Sequence, residues 1–204
     1  MVQIVEAYSY EQNLERMYSY FDHVPLYLKR GVYSNYNIGD NVIMVFTKPE
    51  GSYLLKWTRF AANLVTNDGK IYYAKKTAGE TPATNENFFG GRMELRTGSA
   101  TPAATDTYQQ VTTPVTASRK TFDSTYPKTN DTGDTDNLGD STSTISYRVS
   151  WGTGDFTATA ILGGCVHDNS SPVNATKLLC HWSDATGDKD GSTTLKFFVN
   201  HTQA

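Results

Sequence analysis

Cys165, His167, Cys180 and His181 come nearest, by type and spacing, to a reactive or metal-binding set, because thiolate and imidazole are the preferred ligands of zinc. In an extended chain successive side chains point to opposite faces. Cys165 and His167 would then share a face, while Cys180 and His181 would point opposite ways. The four do not converge without a bulge, and no C-x2-C element accompanies them. The expectation is two small buried thiols on neighbouring strands. A bond between them would need an oxidising compartment and Cα atoms within about 7 Å.

Acidic loops are the second candidate. Asp131, Asp134, Asp136 and Asp140 lie in the most polar tract, Asn130–Ser143, and invite a calcium reading. An EF-hand loop starting at Asp134 would place Asp136 and Gly139 correctly. However, Leu138 then occupies a ligand position, and Ile145 stands where the bidentate glutamate belongs. The EF-hand pattern fails, and the expectation is a solvated loop whose Asp and Asn residues form turns. An irregular site among those four aspartates is the weaker alternative. Asp184–Gly191, with Asp188 and Asp190, reads first as a hairpin connection.

Covalent and acid–base chemistry lacks a signature. The chain has no G-x-S-x-G elbow, no H-E-x-x-H, no P-loop and no G-x-G-x-x-G before a helix. His23, His167, His181 and His201 are scattered, and none stands beside a carboxylate and a nucleophile in a recognisable order. Carboxyl pairs for glycoside cleavage must be partly buried, and these loops read as wet. No enzymatic activity and no cofactor are expected.

Aromatic side chains offer a different chemistry, that of contact. Thirteen Tyr and nine Phe are present, and Tyr8, Tyr10, Tyr18, Tyr20, Tyr27, Tyr33 and Tyr36 crowd the first forty residues. Tyrosine provides a large amphipathic area at low entropic cost, so protein–protein contact is preferred to a sugar-stacking platform. Ser9 and Gln12 fit a capping box, and Leu14, Met17, Tyr18 and Phe21 follow at helical spacing. The spacing predicts a helix over Tyr10–Phe21, which either covers a sheet or docks on a neighbouring subunit. Tyr10, Leu14, Tyr18 and Phe21 are the contact residues this predicts.

The elements that would carry these groups are mostly strands. Ile145, Tyr147, Val149 and Trp151 alternate with Ser146, Arg148 and Ser150. Leu195, Phe197 and Val199 alternate with Thr194, Lys196 and Asn200. Period-two patterning predicts half-buried strands at Thr144–Trp151, Phe156–Val166, Lys177–Ser183 and Thr193–His201. Asn41–Thr47, Tyr53–Phe60, Arg92–Thr97 and Val111–Ser118 add further strands. Asn67-Asp68-Gly69, between Ala61–Val65 and Lys70–Ala74, predicts a hairpin turn. Lys75–Asn87 and Gly98–Thr107 read as linkers.

The fold class is therefore mainly β: a jelly-roll-like β-sandwich with a short N-terminal helix and extended arm and linkers. Residues 1–75 form a helix and hairpin region, 76–110 a linker with a short strand, and 111–204 the sandwich core, with packing of 25–75 against that core as a single domain the alternative. The 204 residues suffice for a core without staples. The net charge of -3 and the absence of a Lys/Arg block argue against nucleic acid. No apolar run approaches the length of a membrane helix, and Glu6, Glu11 and Glu15 interrupt any signal peptide. Synthesis in a cytoplasm is expected, so the sequons at Asn130, Asn169, Asn174 and Asn200 carry no glycosylation inference.

The C-terminal half contains Thr125-Tyr126-Pro127-Lys128-Thr129-Asn130-Asp131, then Ile145-Ser146-Tyr147-Arg148-Val149-Ser150-Trp151 with its Gly152–Phe156 turn, then Leu195–Thr202. By these segments residues 110–204 resemble the small β-rich structural proteins of tailed-bacteriophage heads, necks and tails. The resemblance implies a virion component assembled in a host cytoplasm, in many copies, whose partners are capsid, neck or tail subunits and copies of itself. A head decoration or cement protein and a neck or tail component are the expected placements. A carbohydrate- or receptor-binding β-sandwich module of a phage fibre is the alternative.

Overall fold

A computed structural model describes residues 41–50, 53–131, 133–137, 142–169 and 177–202. The expected Tyr10–Phe21 helix lies outside them. Among the described residues are nine strands: β1 (Asn41–Glu50), β2 (Tyr53–Val65), β3 (Arg92–Arg96), β4 (Pro114–Thr121), β5 (Lys128–Thr129), β6 (Thr144–Trp151), β7 (Ala158–His167), β8 (Leu178–Lys189) and β9 (Thr194–Thr202). One α-helix, α1 (Asn67–Thr77), follows β2.

The strands form two antiparallel sheets that share β2. In the first sheet the order is β2-β1-β9-β6-β5, and in the second β4-β3-β7-β8-β2. Register explains how one strand serves both. Ten pairs from Asn41↔Ala62 to Glu50↔Tyr53 hold the early part of β2 against β1. Only Asn63, Leu64 and Val65 then pair with Trp182, His181 and Cys180 of β8. Strands from the expected regions 1–75 and 111–204 thus lie side by side.

Alternation places the apolar faces of both sheets on one cluster. Tyr147, Val149, Trp151, Leu195, Phe197 and Val199 from the first sheet meet Met93, Leu95, Ile161, Val166, Cys180 and Trp182 from the second. Trp151 stands edge-on to Phe197 with ring centroids 5.7 Å apart, a geometry that adds about 0.5–1.5 kcal/mol beyond area burial. At the opposite margin from β2, side chains lace β4 to β6. The Trp151 indole donates to Ser118 O at 2.8 Å, and Lys120 Nζ donates to Ser150 O at 2.7 Å.

The second sheet is tight where β3, β7 and β8 meet. A Cβ on Gly164 would lie 2.5 Å from Trp182 Cζ2 and 2.6 Å from Glu94 O. Gly164→Ala should therefore destabilise by about 1–3 kcal/mol through overpacking, read as a lowered urea midpoint. An unchanged midpoint would mean that the indole moves freely.

The Asn67-Asp68-Gly69 turn is not a hairpin but the start of α1. The side chain of Thr66 caps it, accepting from Gly69 N at 3.1 Å. Asp68 in the first turn, with Lys75 and Lys76 in the last, complements the helix dipole. Nor is the 76–110 region a free linker. Phe88 is fully buried, and Glu86 binds Lys75 and Lys177 at 2.7 and 2.8 Å.

Candidate functional site

The outer face of the second sheet carries charge where a sheet face would ordinarily meet water. On β3, Met93 and Leu95 point into the core while Glu94 and Arg96 point outward, and all four are fully buried. Residues 97–113 make the difference, folding back over this face as a closed loop. Backbone bonds join its ends, from Thr97 N to Thr113 O at 3.1 Å and from Gly98 N to Thr112 O at 3.2 Å. A bridge between Thr107 and Lys177 fixes its middle. Beneath it, Cys165 and Leu178 pack against Val111 and Tyr108 of the loop.

Two charge clusters lie under the loop. In the first, Arg96 Nε donates to His181 Nε2 at 3.1 Å, and His181 Nδ1 meets Asp106 Oδ2 at 2.8 Å. A guanidinium only donates, so Nε2 is the lone-pair nitrogen and Nδ1 carries the proton given to Asp106. Burial holds the His181 imidazole below its usual range against the pull of Asp106, and the Arg96 charge adds to the depression. The remaining Arg96 donors reach Gly98 O, Ala100 O at 3.3 Å and Trp182 O at 3.1 Å.

In the second cluster, Glu94 accepts from Tyr108 at 2.8 Å and from both Arg119 Nε and Nη2, at 3.0 and 3.1 Å. His167 Nε2 lies 3.4 Å from the same carboxylate. Burial opposes ionisation of Glu94, yet His167, Arg119 and Tyr108 together hold its carboxyl below the usual range. Burial and the Glu94 charge push the Tyr108 hydroxyl upward.

Aspartate, histidine and a charged partner therefore line up, but the third member is arginine and not a hydroxyl. An Asp–His pair activates a nucleophile when the second ring nitrogen accepts that nucleophile's proton. Here Arg96 donates to that nitrogen and keeps its proton, so the ring has no nucleophile to activate. The arrangement fastens a loop to a sheet.

The cysteines stand as their spacing indicated. Cys165 faces outward under the loop, Cys180 faces the core, and both are free and buried. Burial and the nearby Glu94 charge raise the Cys165 thiol well above its ordinary value, which makes it a poor nucleophile.

The acidic tract departs from the expected solvated loop. Asp131 is fully buried and Asn137 nearly so, because Asp134, Asp136 and Asn137 bond to Ser146 and Arg148 of β6 and to Lys196 and Asn200 of β9. Asp131 receives Lys128 at 2.6 Å, Tyr126 at 2.6 Å and the Asn137 amide at 3.0 Å. Burial opposes its ionisation, but these donors keep its carboxyl below the usual range. Asp134 pairs with Arg148 at 2.8 Å and with Lys196 at 3.4 Å. Asp136 pairs with Lys196 at 2.8 Å. Asp140 lies outside the described residues, as do the expected contact residues Tyr10, Leu14, Tyr18 and Phe21. Among the described residues no three His, Cys, Asp or Glu side chains gather as a metal-holding group. Millimolar calcium should leave the thermal midpoint unchanged, since Asp131, Asp134 and Asp136 already face cations. A rise of several degrees in a calorimetric scan would show that the ion displaces them.

A third polar group marks the place where β2 changes sheets. Asn63 meets His201 Nε2 at 2.7 Å, the Tyr73 hydroxyl meets His201 Nδ1 at 2.5 Å, and Tyr147 meets Tyr73 at 2.9 Å. Burial depresses His201 to about 3. Burial also raises the Tyr147 hydroxyl.

Sequence reasoning missed Glu94, Arg96, Asp106, Tyr108 and Arg119. The one available signal was Glu94 and Arg96 at i and i+2, two opposite charges on one face of a short strand. No protein-family model, curated protein or solved structure matches the chain.

Proposed function

We propose that the chain is a non-enzymatic structural protein of a tailed-bacteriophage virion, a head decoration or cement protein or a neck or tail component. The observation that supports this most is the closure of its buried charges. Arg96, His181 and Asp106, then Glu94 and Arg119, then Asp131 and Lys128, all meet partners within the chain. Such side chains stiffen a body and have no free valence for turnover. The resemblance over residues 110–204 supplies the setting. A jelly-roll-like sandwich is the finer reading of the two sheets, and the apolar cluster they share supports it.

In this reading the body is stacked in many copies against capsid, neck or tail subunits, with no nucleic acid, membrane or cofactor as partner. No described helix is long and apolar enough to cross a membrane. Tyr10, Leu14, Tyr18 and Phe21 are the proposed contacts. Electron microscopy of purified particles, with an antibody against the chain, tests the reading. A regular array on heads, necks or tails is expected. Absence from particles together with binding on a glycan array would replace it with a carbohydrate-binding module. Normal incorporation of Leu14→Asp would remove the proposed helix contact.

A further inference from the structure

We propose that residues 97–113 are an acid-released strap: protonation of His181 lifts the loop and uncovers the outer face of the second sheet around Cys165. This inference is independent of where the protein is assembled. It rests on the balance of charge beneath the strap. At neutral pH one cation, Arg96, and one anion, Asp106, flank a neutral His181. All three are buried, with Asp106 the most exposed at 7 %. Adding a proton makes two cations against one anion in a buried space. It also turns the acceptor of the Arg96 bond into a second donor, so that bond becomes a repulsion.

The neighbours of His181 offer no compensation. β3 contributes Arg96 and the strap contributes Asp106. β7 contributes Cys165, its register partner, whose buried thiol stays protonated. β2 contributes uncharged Leu64. Glu94 is already engaged by Arg119 and Tyr108. Opening the strap hydrates both charges, and the connections that must part at its middle are the Thr107–Lys177 bridge, the Asn67 N bond to Ala104 O and the Tyr108 bonds to Glu94 and Arg119. The depressed His181 imidazole agrees in sign: the closed form favours the neutral ring and loses its advantage as pH falls.

The two cysteines provide the readout, because Cys165 lies under the strap and Cys180 in the core. The full chain is labelled with an acid-tolerant dipyridyl disulfide between about pH 7.5 and about pH 5, and peptide mass spectrometry separates the two sites. After correction against a small free thiol, Cys165 labelling should rise by about tenfold for each pH unit below the ordinary imidazole range, with Cys180 protected. His181→Gln keeps both bonds, donating to Asp106 and accepting from Arg96, but does not titrate. In it the rise should vanish. A flat wild-type profile, equal labelling of both cysteines, or an undiminished rise in His181→Gln would overturn the proposal. Should that variant not fold, protease cleavage within 97–113 of the wild type decides. It must increase over the same interval while both sheets stay intact, and unchanged cleavage overturns the strap.

Discussion

Replacing Arg96 with methionine is expected to lower the unfolding free energy by about 3–5 kcal/mol, because removing one partner from a buried charged network strands the others. Methionine keeps most of the apolar stem, so the loss reports on the guanidinium. Without it, Asp106 remains buried with only His181 and Ala103 N as donors. The carbonyls of Gly98, Ala100 and Trp182 also lose their donor. Of these three bonds the one to Trp182 O is buried, and its unpaired acceptor accounts for about 1–3 kcal/mol of that total. Urea unfolding with a two-state fit checks this, and a loss under about 1 kcal/mol would mean that water reaches the network. The double replacement Arg96→Met with Asp106→Asn should recover part of the loss, since the stranded charge is gone.

Acid is expected to unfold the protein with a steep contribution from His201. Its ring is wholly buried and neutral in the fold, with a pKa near 3 against an ordinary value near 6.5. The native state therefore binds fewer protons than the unfolded state between those limits. Stability is complete above about pH 6.5 and falls by about 1.4 kcal/mol for each pH unit below it, until about pH 3. That amounts to about 2 kcal/mol at pH 5 from this residue alone. Glu86 adds to the same direction lower down, since Lys177 and Lys75 hold it at about 2 and that contribution fades as it protonates. Chemical denaturation across this range should show the slope, and His201→Gln should flatten it between pH 6.5 and pH 4 while lowering stability at neutral pH. A wild-type profile flat through that interval would mean that His201 is solvated.

The core-facing residues of the strands were legible because side-chain direction follows a local period, even though Ser146, Phe198 and Asn200 on the opposite faces are buried too. Ile145 to Trp151 and Leu195 to Val199 alternate as their sequence does. What covers the polar faces was not legible. Arg96 and His181 are 85 residues apart and His181 and Asp106 are 75 apart, and no spacing rule joins a lone aspartate in a Thr/Ala/Pro run to a strand. Asp131, Asp134, Asp136 and Asn137 escaped for the same reason. Their polarity suggests solvation, whereas Arg148 and Lys196 on the outer faces of β6 and β9 supply counter-charges to Asp134 and Asp136. The misplaced hairpin at Asn67–Gly69 has a local cause. The Asp-Gly pair outweighed Thr66, which with Asp68 and the lysines of the last turn spells a capped helix.

Cys180 and His181 show the reverse case, in which parity within one strand was enough to put them on opposite faces, Cys180 in the core and His181 under the loop. That Cys165 and Cys180 also face opposite ways follows from the register, which sets Cys165 against His181 and Val166 against Cys180.

That the buried charges serve as fasteners and not as reactive groups is tested most directly at the His181 ring. Long-range proton–nitrogen NMR of the folded protein at neutral pH should show a neutral imidazole with its proton on Nδ1, and a nitrogen pattern that stays neutral to below the ordinary imidazole range. A proton on Nε2, or titration of the ring near pH 6.5 in the intact fold, would leave Arg96 without its acceptor and contradict the account.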